Sequence, residues 1–195
     1  MSPVAPGDFL RGLRRPAFYT RDMILRDTSH TFVLAFLTGA SALVLLTVHL
    51  AESWGGLTPC VLCLYQRTPY WVAAAVGLAG LALTRRPDGV GRDTLAAIYL
   101  VLFFTFLVSI ALGAYHAGVE QGAWAGPAAC ENVATGAATS LEDLKAALLQ
   151  TPVIRCDEIA WSFHGLTLAG LNVIASTCLA GLAGARLSGM MASRG

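Results

Sequence analysis

The stretch LAAIYLVLFFTFLVSIALGAY, running from Leu95 to Tyr115, carries no charged side chain in 21 positions. At the helical rise of about 1.5 Å per residue, that length covers the roughly 30 Å hydrocarbon core of a bilayer. Three other runs read the same way: Thr31 to Leu50, Cys60 to Leu83, and Leu166 to Arg186. Within the expected lipid-facing core only Arg67 is formally charged. The composition agrees, with 55% hydrophobic residues, 13% charged residues and a mean hydropathy of +0.62. Soluble domains carry about a quarter charged residues. The expected fold is therefore an all-α membrane protein, a four-helix transmembrane bundle with a long outward loop between helices 3 and 4. The net charge of +1 says nothing about partners, but there is no basic tract of the kind that nucleic-acid binding needs.

Basic residues set the expected orientation. Arg11, Arg14, Arg15, Arg21 and Arg26 precede the first span, Arg85, Arg86 and Arg92 lie between the second and third, and Arg186 and Arg194 follow the fourth. The stretch from Ala51 to Pro59 has no Lys or Arg, and the stretch from His116 to Gly165 has only Lys145 and Arg155 against six acids. The positive-inside rule then places both termini in the cytoplasm. The expected organisation is a cytoplasmic tail over residues 1–29, a membrane domain over 30–186 with its outer loop at 116–165, and a cytoplasmic tail over 187–195. The first apolar run is too long for a signal-peptide core, so no cleaved leader is expected. In the outer loop, Ser140 reads as an N-cap for a short helix from Leu141 to Gln150, either interfacial or packed on protein, ended by Pro152.

Topology gives the five cysteines their meaning. Cys60, Cys63, Cys130 and Cys156 fall at or beyond the outer face, and Cys178 falls in mid-membrane. An oxidising exterior such as a bacterial periplasm would suit them. Thr58-Pro59 reads as a helix start, an N-cap followed by proline at the first helical position. Cys60 and Cys63 then lie in the first turns, where the helix dipole and a nearby cation favour thiolate. Cys60, Cys63 and Arg67 share one face by their spacing. Arg67 is costly at that depth unless it faces protein, water or a ligand. An inert disulfide is the competing reading for Cys60 and Cys63, although so small a loop restrains the unfolded chain little. No metal is expected, because zinc needs two more ligands and neither a second Cys-x-x-Cys nor a paired histidine exists. Cys130 and Cys156 flank 25 residues. They suit either a structural staple, stabilising by about 3 kcal/mol, or a mobile disulfide that exchanges with the membrane dithiol.

The segment Cys60-Val-Leu-Cys63-Leu-Tyr65-Gln66-Arg67 resembles the signature of the disulfide bond formation protein B (DsbB) family. The resemblance continues in Tyr115-His116, in Cys130, and in Cys156-Asp-Glu158-Ile-Ala-Trp161-Ser-Phe163-His164-Gly165-Leu166, covering roughly residues 30–185. It implies an inner-membrane protein-disulfide:quinone oxidoreductase that reoxidises a periplasmic, DsbA-like thioredoxin-fold oxidase. Electrons would pass to a membrane quinone, ubiquinone or menaquinone, in support of disulfide formation in exported proteins. By the same resemblance Cys130 matches the cysteine attacked by the partner's thiolate, and Cys156 its disulfide mate. Cys60 matches the cysteine that exchanges with this pair, and Cys63 the thiolate that contacts the quinone. Arg67 matches an arginine supporting quinone binding, and His116 a histidine near the quinone. Gln66 departs from the family pattern, where an acid can stand, and His164 replaces a commonly apolar residue.

Physical chemistry is consistent with these roles. A quinone is lipid-soluble, so its site should open sideways to the bilayer near the outer surface. Cys63 lies one turn deeper than Cys60, and Arg67 can attract charge developing on a quinone oxygen. His116 has the right ordinary pKa to relay protons, with a merely solvated histidine as the alternative. Trp161 and either Tyr70 or Trp71 read as interface anchors, Cys178 as a small buried apolar residue, and Pro69 as a kink in the second span. Two other functions compete. A vitamin K epoxide reductase-like protein is disfavoured because its Cys-x-x-Cys lies late in the bundle. A non-catalytic scaffold with two structural disulfides is distinguished by thiol trapping.

Overall fold

The computed structural model describes residues 17–86, 89–127, 140, 142 and 155–192. In chain order it contains helices α1 (Ala17–Ser53), α2 (Val61–Thr84) and α3 (Arg92–Glu120). A two-stranded hairpin, β1 (Ser162–Phe163) and β2 (Leu166–Thr167), leads into α4 (Leu168–Ala192). Among the described residues three segments are long and apolar enough to cross a membrane: Ser29–Ser53, Arg92–Glu120 and Leu168–Ala192. The 24-residue α2 is not among them. Gln66, Arg67 and Thr68 dilute the apolar character of its first half. Cys130 and the expected loop helix lie outside the described residues, apart from Ser140 and Glu142.

Two helix starts differ from expectation. The backbone of α1 is helical from Ala17, well before Thr31, because no glycine or proline interrupts the chain before Gly39. Helix α2 begins at Val61, later than Thr58-Pro59 suggested. Its N-cap is Cys60, in extended conformation, and the Cys60 sulfur accepts a hydrogen bond from the Cys63 backbone N–H at 3.3 Å. A sulfur thus does the capping expected of the Thr58 hydroxyl. Pro69 lies within α2, and the helix continues through it to Thr84.

Each helix packs mainly on its neighbours in the chain. Helix α3 buries Leu95, Tyr99, Leu102, Phe106, Ser109, Gly113 and His116, an alternation of four- and three-residue steps that marks one continuous inward stripe. It packs on α4 and α2, and α2 packs on α1. Leu34, Leu37, Tyr70, Tyr99, Leu102, Phe106 and Ala183 form the centre of the main core. Gly113 lets α3 and α4 approach, since a Cβ there would stand 2.9 Å from both Asn172 Nδ2 and Val173 Cγ2. Helices α1 and α4 make little contact with each other, which leaves a seam between them. One end of that seam is tied, because Arg186 Nη1 donates to Ser29 Oγ at 2.7 Å. The outward faces carry exposed Leu43, Leu46, Leu78, Phe104 and Ile174, as lipid contact requires.

The inward stripe decides between Tyr70 and Trp71 and corrects the expectation for Cys178. Tyr70 is 2% exposed and belongs to the core, whereas its neighbour Trp71 is 57% exposed. Cys178 is exposed, because it falls off the α4 stripe through Ala169, Ser176, Leu179 and Ala183. The hairpin turns at His164 and Gly165, both with positive φ, 50° and 82°, as a tight two-residue turn demands. Thr167 then caps α4 by accepting from the Gly170 N–H at 3.2 Å.

Candidate functional site

The first turn of α2, the last turns of α1 and α3, and the start of α4 converge on one end of the bundle. Cys60 and Cys63 are free thiols with their sulfurs 3.2 Å apart. Cys60 is buried, and it shares a small apolar cluster with Leu62, Val119 and Cys156, against which Cys63 packs. Cys156 is itself disulfide-bonded. Of the sequence-predicted residues, the structure thus brings together Cys60, Cys63, Cys156, Arg67 and His116, and Cys130 is outside the described residues.

His116 is 3% exposed and ends the α3 stripe against the thiols. Its Nε2 lies 3.5 Å from Cys60 Sγ and 3.9 Å from Glu120 Oε1. On the other side of the ring, Gln66 Nε2 donates to Nδ1 at 2.6 Å. Two sulfurs and a His116 ring nitrogen come within 4.8 Å of one another, close enough to ligate one metal ion. Arg67 answers its burial cost with protein: its guanidinium pairs with Glu52 at the end of α1. Because α1 extends to Ser53, Glu52 sits in the helix rather than in the loop where the sequence suggested it.

Two cavities meet at the dithiol. The inner one, about 350 Å³, lies between α1 and α4, along the open part of the seam. Its walls are mostly apolar, with Leu43, Val48, Leu57 and Leu171, and its polar lining includes Cys63, Gln66, Arg67, Tyr70, His116 and Asn172. An apolar cleft of this size with a few convergent polar groups is the usual form of a small-molecule site. The outer cavity, about 340 Å³, is more polar and is lined by Cys60, Cys63, His116, Glu120, Arg155, Glu158 and Trp161. At its rim Arg155 makes a two-pronged contact with Asp157, at 3.0 and 2.6 Å, and the guanidinium holds the Asp157 carboxyl below its ordinary pKa. Trp161 stacks on Phe163 at the rim, and both rings are exposed.

A sequence model of the disulfide bond formation protein DsbB family matches residues 30–185. The chain belongs to the DsbB family. A disulfide bond formation protein B 2 of Pseudomonas entomophila is 31% identical over 155 residues, covering 78% of this chain and 86% of its own. Another, from Pseudomonas savastanoi pv. phaseolicola, is 29% identical over 166 residues, covering 81% and 87%. An uncharacterised protein of Rickettsia prowazekii is 27% identical over 161 residues, covering 82% and 88%. No solved structure matches the chain. The protein is accordingly a membrane protein of disulfide bond formation, with the disulfide oxidoreductase role that DsbB membership implies.

Sequence reasoning passed over Glu52, Ser109, Glu120, Asn172 and Ser176, and it noted Gln66 only as a departure. The signal was available for some of them. Gln66, Ser109 and Ser176 lie on the buried stripes of their helices, and Asn172 falls between the buried Ala169 and Ser176. A polar residue on the inward face of an apolar helix marks an internal partner.

Proposed function

We propose that this protein is a protein-disulfide:quinone oxidoreductase of a bacterial inner membrane. On this reading it reoxidises a periplasmic DsbA-like oxidase and passes the electrons to a membrane quinone. α2 is the remaining span of a four-helix transmembrane bundle, both termini are cytoplasmic, and the cysteine pairs face the periplasm. The observation that carries this reading is how the thiols divide between the cavities: Cys63 lines both, whereas Cys60 lines only the outer one.

The chemistry follows from that division. The partner's dithiol reduces a Cys130–Cys156 disulfide, and the partner leaves oxidised. The released loop dithiol reduces a Cys60–Cys63 disulfide through Cys60, which shares a cluster with Cys156, and the loop disulfide re-forms. Cys60 and Cys63 then hold two electrons and two protons. A bound quinone supplies the acceptor for both. Its site is the inner cavity, whose apolar walls and lipid-side position suit such a ligand. Cys63 presents its sulfur there, His116 lines the wall, and Arg67 supplies a donor. Arg67 remains paired with Glu52 and so offers a fixed donor rather than a mobile one.

The test mixes purified protein in lipid with ubiquinone or menaquinone and a reduced thioredoxin-fold oxidase. Wild type should form quinol. Cys63→Ala should form none while still accumulating a mixed disulfide with the partner. Absence of quinol with wild type, or full turnover by Cys63→Ala, would overturn the proposal.

A further inference from the structure

The hydrogen bonds beneath the thiols leave His116 little choice of protonation. At the deep end, Asn172 Nδ2 faces the Ser109 backbone carbonyl at 3.3 Å, so that atom must be the amide's donor nitrogen. Asn172 Oδ1 correspondingly accepts from the Tyr70 hydroxyl at 2.6 Å. The same nitrogen donates to Gln66 at 2.7 Å, so Gln66 presents its oxygen to Asn172 and its nitrogen to His116. That nitrogen lies 2.6 Å from Nδ1 and can only donate, so Nδ1 must carry a lone pair. The proton of the neutral ring is then on Nε2. The surroundings of Nε2 agree: the Glu120 carboxylate oxygen at 3.9 Å can only accept, and the Cys60 sulfur at 3.5 Å accepts when it is a thiolate.

We propose that Gln66 and Asn172 are positioning residues that hold His116 as its Nε2–H tautomer, with the N–H aimed at Cys60. The inference deepens the proposed function and rests on it only for the use of Cys60. His116 is then a hydrogen-bond donor to the Cys60 thiolate and does not remove the thiol's proton. The orientation is transmitted from a backbone carbonyl through two amides to a ring, so it is set by the fold. It also disfavours the one metal-competent cluster of the described residues, because an N–H rather than a lone pair faces the two sulfurs.

Nitrogen NMR of reduced, 15N-histidine-labelled protein in lipid reads the tautomer, with His116 assigned by its loss in His116→Gln. Wild type should show unprotonated Nδ1 and protonated Nε2. In Gln66→Glu the residue accepts where Gln66 donated, so Nδ1 should become protonated. In that variant the Nε2 lone pair becomes available to the thiols, and Zn(II) affinity of the reduced protein should rise about 10- to 100-fold. A protonated Nδ1 in neutral wild type, a ring unchanged in Gln66→Glu, or a Zn(II) affinity that does not rise would overturn the inference. None of these readouts requires quinol formation, so they separate this inference from the proposed activity.

Discussion

Removing Glu52 should cost more than a surface charge and less than a fully interior one. The Arg67 and Glu52 side chains are 14% and 24% exposed, so the pair is largely but not fully withdrawn from solvent. Breaking a buried pair from one side costs about 3–5 kcal/mol, and exposed pairs contribute about 0–1 kcal/mol. Glu52→Leu should therefore destabilise by about 2–3 kcal/mol, because Arg67 keeps its charge with no counterion. Arg67→Met should cost a similar amount by stranding Glu52. The double variant removes both charges and should be about as stable as either single variant rather than showing the summed loss, giving a coupling of about 2–3 kcal/mol, roughly 30-fold or more in the folding equilibrium. Reversible chemical unfolding of all four proteins in mixed micelles measures that coupling. A value below about 0.5 kcal/mol would mean that water, not Glu52, solvates Arg67, and the account of its burial would fail.

Three other substitutions test the packing and the hairpin. Gly113→Leu should push α3 and α4 apart where a Cβ already meets Asn172 and Val173, costing about 1–3 kcal/mol and lowering the thermal midpoint. Tyr70→Phe should destabilise by about 1–3 kcal/mol in the same unfolding assay, because Asn172 Oδ1 and the Ser176 hydroxyl each lose a buried partner. Gly165→Val should loosen the turn held at φ 82°, by about 1–2 kcal/mol, seen as faster proteolysis between Ser162 and Thr167. Full retention of stability in any of these would show that the corresponding contact is not maintained.

Apolar runs located the four helices of the described residues, because the central stretches of α1, α3 and α4 carry no charge and α2 has only Arg67. The cysteine spacing and Arg67 pointed to the site, and Cys60, Cys63, Arg67 and His116 do converge. What escaped was mostly local. The α2 boundary moved because a thiol can cap a helix, a role that propensities assign to hydroxyls and carboxylates. Tyr70 stood as an alternative to Trp71 because a tyrosine on an apolar helix suits an interface or a core equally well by composition. The stripe through Leu62, Gln66, Tyr70 and Ala73 decides for the core. The Glu52–Arg67 pair spans two helices and could be seen only once the end of α1 was known.

Among the described residues, Arg186 and Ser29 lace the seam between α1 and α4 at one end. A ligand with a long hydrocarbon tail can dock its head there and leave the tail among the lipids, without any helix having to part. Such a berth reads the head and ignores the tail. Quinones that differ only in isoprenoid length should turn over alike once their partitioning into the membrane is equalised. Crowding the rim at Leu43 or Leu171 should then slow loading of every quinone by the same factor.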